Sequence, residues 1–136
     1  MADKQTKETS QTPPAGFERV EDFYTDYANN VFLESSLWDL KLVFGQLDQN
    51  TNPPTTEQRA AITIPWRQAK ILNYLLSVHI RAHELDAGSR ITIPKAIIPP
   101  EPTPGGDEPG YVGELYDYMR KLRQETFGED LKPQAA

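Results

Sequence analysis

The only two histidines of the chain, His79 and His83, lie four residues apart in the stretch HIRAH. On a helix, residues four apart project from the same side, so both imidazoles could ligate one metal ion. A zinc site needs further ligands, and this stretch is not the HExxH pattern of metalloproteases. Histidines that fill a core or an interface are commoner than metal ligands. We therefore predict no metal and no cofactor, and keep His79 and His83 as the alternative pair of ligands.

Other side chains of the sequence do not form a catalytic set. The chain has no cysteine, which excludes disulfides, thiolate metal sites and cysteine nucleophiles. Gly105-Gly106 lies in a Pro/Gly-rich stretch and lacks the Lys-Ser/Thr that follows in a phosphate-binding loop. Two helical histidines and scattered serines do not make a nucleophilic triad. We predict that the chain is not an enzyme.

The net charge of the chain limits the kinds of partner that it is expected to bind. The formal net charge is −6, and the chain has no basic face that would displace counterions from phosphates, which argues against nucleic acid and anionic membranes. No apolar run approaches the ~18 residues that span a bilayer, and the N-terminal stretch MADKQTKETSQTPPAG lacks the apolar core of a signal peptide. These features predict a cytoplasmic protein.

The first half of the chain has the pattern of a small sheet. Residues 1–16 are polar and predict a disordered tail. Aromatic and β-branched residues over 17–34 predict one strand, or two broken near Asn29-Asn30. Residues 38–48 alternate, with Trp38, Leu40, Leu42 and Phe44 on a predicted buried face. Residues 49–58 predict a loop, and residues 60–64 a short strand that ends at Pro65.

A long helix is predicted from Trp66 to about Ala87. Pro65 suits the position before a first helical turn, and Gly88 suits a left-handed cap. Apolar side chains cover roughly 240° of its circumference, wider than the ~100° stripe that a helix needs against one layer. A second layer is therefore required, and the same helix of another subunit supplies it most simply. We predict a homodimer or homotetramer, with an interface formed by Leu72, Leu75, Leu76, His79, Ile80 and His83. Protonation of histidines in such an apolar seam would weaken it.

The second half predicts a linker and a shorter helix. Residues 94–110 are rich in proline and glycine and predict a semi-stiff linker. Residues 111–126 have the pattern of an amphipathic helix, and 127–136 of a frayed tail. The predicted fold class is thus α+β. Residues 17–93 form one domain, in which a three- to four-stranded antiparallel sheet is backed by the long helix.

Part of the sequence resembles a bacterial family of small uncharacterised proteins. The resemblance covers about residues 24–88. The family's pattern is a Tyr-Ala-Asn-x-Val opening, an Asp-x-x-Leu-x-Phe-Gly strand and a Pro-x-x-Ala-Lys helix start. The matching residues are Tyr27, Ala28, Asn29, Val31, Asp39, Leu42, Phe44, Gly45, Pro65, Ala69 and Lys70. The sequence departs from the family at Ile64, where serine is common, and at His83, near a frequent aromatic. The family has no established activity.

The order of elements is similar to that of SecB-type export chaperones. The segments TIPWRQAKILNYLL, ITIPKAII and ELYDYMRKL follow the order of an interface helix, a proline-rich segment and a Leu/Tyr-rich helix. The resemblance implies an antiparallel sheet backed by a helix, assembly into dimers or tetramers, and ATP-independent binding of exposed apolar segments. The linker over 94–110 is longer than in that pattern.

These observations predict a non-enzymatic, oligomeric protein-binding module with chaperone-like behaviour, whose client or partner the sequence does not name. The alternative is a structural or adaptor subunit of a larger assembly that docks through its C-terminal helix. The residues predicted to contact a client or partner are Phe23, Tyr24, Phe32, Tyr111, Leu115, Tyr116, Met119 and Leu122.

Overall fold

A computed structural model describes residues 13–103 and 110–133 of the chain. It confirms the α+β class: a three-stranded antiparallel sheet is followed by a long helix and a C-terminal helix. The elements are β1 (Asn30–Ser35), β2 (Asp39–Asp48), β3 (Thr55–Pro65), α1 (Trp66–Ala87), a 3-10 turn (Lys95–Ile97) and α2 (Val112–Leu131). Residues 1–12 of the predicted disordered tail 1–16 lie outside the described residues.

β2 is the central strand of the sheet and pairs with β1 on one side and β3 on the other. The prediction of one or two strands over 17–34 is wrong for 17–29, because this segment pairs with no strand among the described residues although its residue types favour strands. The loop predicted over 49–58 is wrong for its end, because β3 begins at Thr55. The first residues of β3 pair with β2 through backbone hydrogen bonds. Such pairing does not require apolar side chains to alternate along the strand.

The hairpin between β1 and β2 is held by Ser36. Its backbone N–H donates to the Asp39 carbonyl oxygen at 2.9 Å, and its hydroxyl donates to the Asp39 carboxylate at 2.9 Å. The indole N–H of Trp66, the first residue of α1, donates to the Ser36 carbonyl oxygen at 3.0 Å. The start of the helix is thereby fixed to the hairpin.

The bounds predicted for α1 are confirmed, because both of its ends are encoded locally. Pro65 ends β3 and precedes the first turn. Gly88 adopts a φ of +73°, and the N–H groups of Gly88 and Ser89 both donate to the Glu84 carbonyl oxygen. A left-handed glycine that closes the last helical turn is a common helix end.

The chain divides into two compact units, Met1–Leu72 and Asn73–Ala136. The division falls within α1, whereas the sequence placed the end of a single domain at residue 93. In the second unit, α2 runs from Val112 to Leu131. The predicted end of this helix at residue 126 is therefore wrong. Residues 127–131 are helical and are not part of a frayed tail.

Few apolar side chains are buried in the described part of the chain. Among the apolar residues described, only Val43 in the first unit and Ile98 in the second are buried. Trp38, on the predicted buried face, is 79% exposed at the hairpin tip, whereas the buried Val43 alternates with that face and lies on the opposite one. Across residues 13–103 and 110–133, no helix is long and apolar enough to cross a membrane.

Candidate functional site

Along the length of β1, one face of the sheet is mostly apolar. Residues that pair directly across neighbouring strands point to the same face, and the pairing aligns three rows. The rows are Val31, Phe44 and Ala60; Leu33, Leu42 and Ile62; and Ser35, Leu40 and Ile64. Ser35 is the one polar residue in these three rows. We call this surface the apolar sheet face.

The apolar sheet face is open. Val31 and Leu33 are each 54% exposed, and Ile62 is 59% exposed. Leu40, Leu42, Phe44 and Ile64 are half-buried. A contiguous apolar patch of this kind is unusual on a monomer and is typical of an interaction surface.

A groove of about 300 Å³ lies at one end of the apolar sheet face. Phe44, Ala60 and Ile62 form part of its lining, and Tyr24 and Tyr27 from the segment before β1 form another part. Tyrosine combines a large apolar ring with a polar tip, which suits a surface where one side is apolar and the other faces water. The groove therefore extends the apolar sheet face with two aromatic side chains.

An ion pair holds the aromatic segment against β3. The Arg59 guanidinium donates to the Asp26 carboxylate at 3.1 Å and to Glu57 at 3.2 Å. The Tyr27 backbone N–H also donates to Asp26, and these donors, the Tyr27 bond first, hold the pKa of the Asp26 carboxyl below its usual value. Asp26 thus stays charged and keeps the segment in place.

The opposite end of the same segment is fixed at a β-bulge. Asn29 donates its N–H to the Gly45 carbonyl oxygen at 3.1 Å, and its side-chain oxygen accepts from Leu47 N–H at 2.8 Å. The register between β2 and β3 shifts at Phe44/Gly45, and a Cβ on Gly45 would lie 2.6 Å from the Glu57 carbonyl oxygen. Residues of the Tyr-Ala-Asn and Phe-Gly motifs therefore meet at this bulge.

The second face of the sheet is more polar. Phe32, Val43 and Ala61 form one row, and the next pair of residues, Glu34 and Lys41, forms an ion pair at 3.5 Å. Of the client-contacting residues predicted on the first unit, only Tyr24 lines the groove. Phe32 lies on this second face, and the Phe23 ring stacks under the Arg19 guanidinium at 4.7 Å.

The predicted interface residues all lie on α1, of which none of the 22 residues is buried. Leu72 is half-buried, and the other five are exposed, including both histidines. Within the part of the chain that the structure describes, no group of three or more His, Cys, Asp or Glu side chains is placed to hold a metal ion.

The C-terminal helix is attached to the segment that precedes it. Arg123 donates to the Pro99 carbonyl oxygen at 2.9 Å, and an apolar groove of about 340 Å³ lies between Pro99, Pro100 and Pro102 and the helix side chains Met119, Leu122 and Phe127. Tyr116 is half-buried, whereas Tyr111 and Leu115 remain exposed. Met119 and Leu122, which line this groove, are themselves exposed, so four of the five predicted contact residues on or next to α2 are open to solvent.

A second attachment was not foreseen from the sequence. Arg90 forms two hydrogen bonds of 3.1 Å to Asp130, and the Ile93 N–H donates to the same carboxylate at 3.0 Å. The Asp130 side chain is only 3% exposed. The Arg90 guanidinium, followed by the Ile93 amide, lowers the pKa of the Asp130 carboxyl. Residues 90–99, which include the start of the predicted linker over 94–110, are therefore a strap bound along α2.

Comparisons of this chain with family models, with curated proteins and with solved structures found no significant match.

Proposed function

We propose that this chain is a non-enzymatic, self-associating protein-binding module that holds exposed apolar segments of other proteins. The observation that carries the proposal is the open apolar sheet face with its tyrosine-lined groove. Such a surface binds through apolar area and shape, so it accepts extended segments of varied sequence. The resemblance in element order to SecB-type export chaperones supports the same function.

Self-association through α1 is the second part of the proposal. In proteins most of the stability of a helix comes from the packing of its apolar face and not from helix propensity. Eight large apolar side chains of α1 are exposed: Trp66, Ile71, Tyr74, Leu75, Leu76, Val78, Ile80 and Leu85. They are spread over ~33 Å of helix and around much of its circumference, so only part of them can contact any one partner. A second copy of α1 provides a matching surface in every molecule of the protein.

A client-holding assay tests the proposal. Insulin reduced with dithiothreitol releases an aggregating B chain, and the reductant leaves this chain unaffected because it has no cysteine. We expect the protein at a few-fold molar excess to suppress the light scattering of the aggregating B chain without ATP. Full aggregation at that excess contradicts client holding.

Two neighbouring variants locate the binding surface. Ile62→Asp places a charge on the apolar sheet face, and we expect it to weaken suppression by roughly tenfold, because burial of an unpaired charge against a client is costly. Thr63→Asp alters the next residue of β3, which is exposed on the other face, and serves as the matched control. Equal loss in both variants contradicts the assignment to the apolar sheet face.

An adaptor subunit is the second candidate, and the exposed apolar side chains at the start of α2 favour it. Tyr111, Leu115 and Tyr118 recur at helical spacing and are exposed. If α2 docks on a defined partner, Leu115→Asp abolishes recovery of that partner in a pull-down, whereas Lys121→Asp does not. Unchanged recovery with Leu115→Asp removes this candidate.

A further inference from the structure

The outer side of β1 is an unpaired sheet edge. β1 pairs with β2 on one side only, and among the described residues no backbone group bonds to its other side. In an antiparallel ladder, hydrogen-bonded and non-bonded pairs alternate along each strand. The Ser36 N–H bonds to the Asp39 oxygen, which fixes the phase of the alternation. The backbone groups of Val31, Leu33 and Ser35 therefore point away from the sheet.

This edge lacks the features that usually keep sheet edges apart. Natural edges carry lysine, proline, bulges or inward charges. β1 reads NVFLES, with no proline and no lysine, and its single charge, on Glu34, is paired with Lys41 on the neighbouring strand. The other edge strand, β3, carries Glu57 and Arg59 and is bulged against β2. The unprotected edge is thus β1.

We propose that the β1 edge pairs, antiparallel, with β1 of a second copy of this chain. A client is absent from the resting protein and cannot cover the edge permanently, whereas a second copy accompanies every molecule. Two identical strands that pair antiparallel satisfy a two-fold axis, which is the commonest symmetry of protein dimers. The pairing joins two three-stranded sheets into one of six strands and extends the apolar sheet face across the axis.

The outward backbone groups limit where the axis passes. Residues 31, 33 and 35 form the new hydrogen-bonded pairs, so only odd-numbered residues bond to one another. The two-fold axis therefore passes between one residue and the same residue of the second copy, not between two neighbouring positions. With the axis at Phe32, the two Phe32 rings pair across it and Val31 lies opposite the partner's Leu33. Aromatic and β-branched or apolar cross-strand pairs of this kind stabilise sheets.

Charge and backbone variants test the pairing in the full chain. Leu33→Lys places a charge on the new seam, and Leu33→Pro removes an N–H that points outward without removing a bond to β2. We expect either variant to reduce the molar mass in solution by a factor of about two or more. Leu37→Lys, at a position 81% exposed in the hairpin turn, is the control and keeps the mass. Unchanged mass in both Leu33 variants overturns the proposal.

Single cysteines provide a readout that survives partial loss of stability. Because the chain has no cysteine, one cysteine placed at Val31, Phe32 or Leu33 can form a disulfide only with another copy. Residues facing each other across the axis lie within the Cα separation that a disulfide needs. We expect oxidation to give covalent dimers fastest at one of these three positions and at least tenfold faster than with Leu37→Cys.

Two other results overturn the assignment. If covalent dimers form no faster at any of the three positions than at Leu37, no second β1 lies opposite this strand. If Leu33→Pro keeps the mass but loses more suppression of insulin B-chain aggregation than Leu33→Ala, which retains the outward N–H, a client strand occupies the edge. If a Leu33 variant loses molar mass but still suppresses B-chain aggregation, the result supports the strand pairing. Client holding is then judged by its own assay.

Discussion

Gly45 is the residue at which the sheet tolerates least change. Its Cβ would lie 2.6 Å from the Glu57 carbonyl oxygen, which is backbone and cannot move aside cheaply. We expect Gly45→Ala to destabilise the fold by about 1–3 kcal/mol, as overpacking usually does. Chemical denaturation measures this. Gly113→Ala, where a Cβ meets nothing within 4 Å, is the control and should stabilise α2 slightly. Equal stability of the two variants contradicts the tight bulge.

Asp130 links the second unit to pH. Its carboxyl pKa is lowered in the folded chain, first by Arg90 and then by the Ile93 amide, so folding favours the charged form. This contribution to stability is fully present above the ordinary pKa of 3.8 and is lost as the pH falls through that value towards the lower folded pKa.

We therefore expect Asp130→Asn to lower the melting temperature of the second unit by several degrees at pH 7, and by less at pH 3. Thermal unfolding followed by circular dichroism measures both values. Glu129→Gln alters the neighbouring carboxylate, whose partner Lys132 is solvent-exposed, and should change little. A difference between wild type and Asp130→Asn that is as large at pH 3 as at pH 7 contradicts the role of the carboxylate charge.

The elements show which features a sequence reveals. The bounds of α1 could be predicted because Pro65, Gly88 and the helical periodicity are all local. β3 begins earlier than its apolar residues do, because the pairing with β2 is non-local. The Arg90–Asp130 pair joins residues 40 apart in the chain, so no local pattern signals it.

The candidate site could be predicted only in part for the same reason. Tyr24 was identified from its residue type. The apolar sheet face, however, arises from the register that aligns Val31, Phe44 and Ala60, and register is set by pairing across strands.

At the scale of elements, α1 is expected to carry self-association. Leu76→Asp places a charge within the apolar arc, and we expect it to weaken self-association by at least tenfold. Ser77→Asp, on the adjacent polar stripe, is the matched control. Sedimentation velocity over a dilution series measures both. Equal dissociation of the two variants, or of neither, contradicts an interface on the apolar arc of α1.

At the scale of the whole molecule, the described residues expose far more apolar side chains than they bury, with Val43 and Ile98 as the buried ones. The open apolar sheet face, the exposed arc of α1 and the unpaired edge of β1 each require a covering layer. In our proposals, a second copy of the chain is the layer that covers α1 and β1, and the apolar sheet face is left for clients.

The molar mass of the full chain in solution tests this account most directly. Light scattering coupled to size exclusion at neutral pH and micromolar concentration should give a defined multiple of 15.4 kDa, of two chains or more. A single chain of 15.4 kDa that persists to the highest soluble concentration would contradict it.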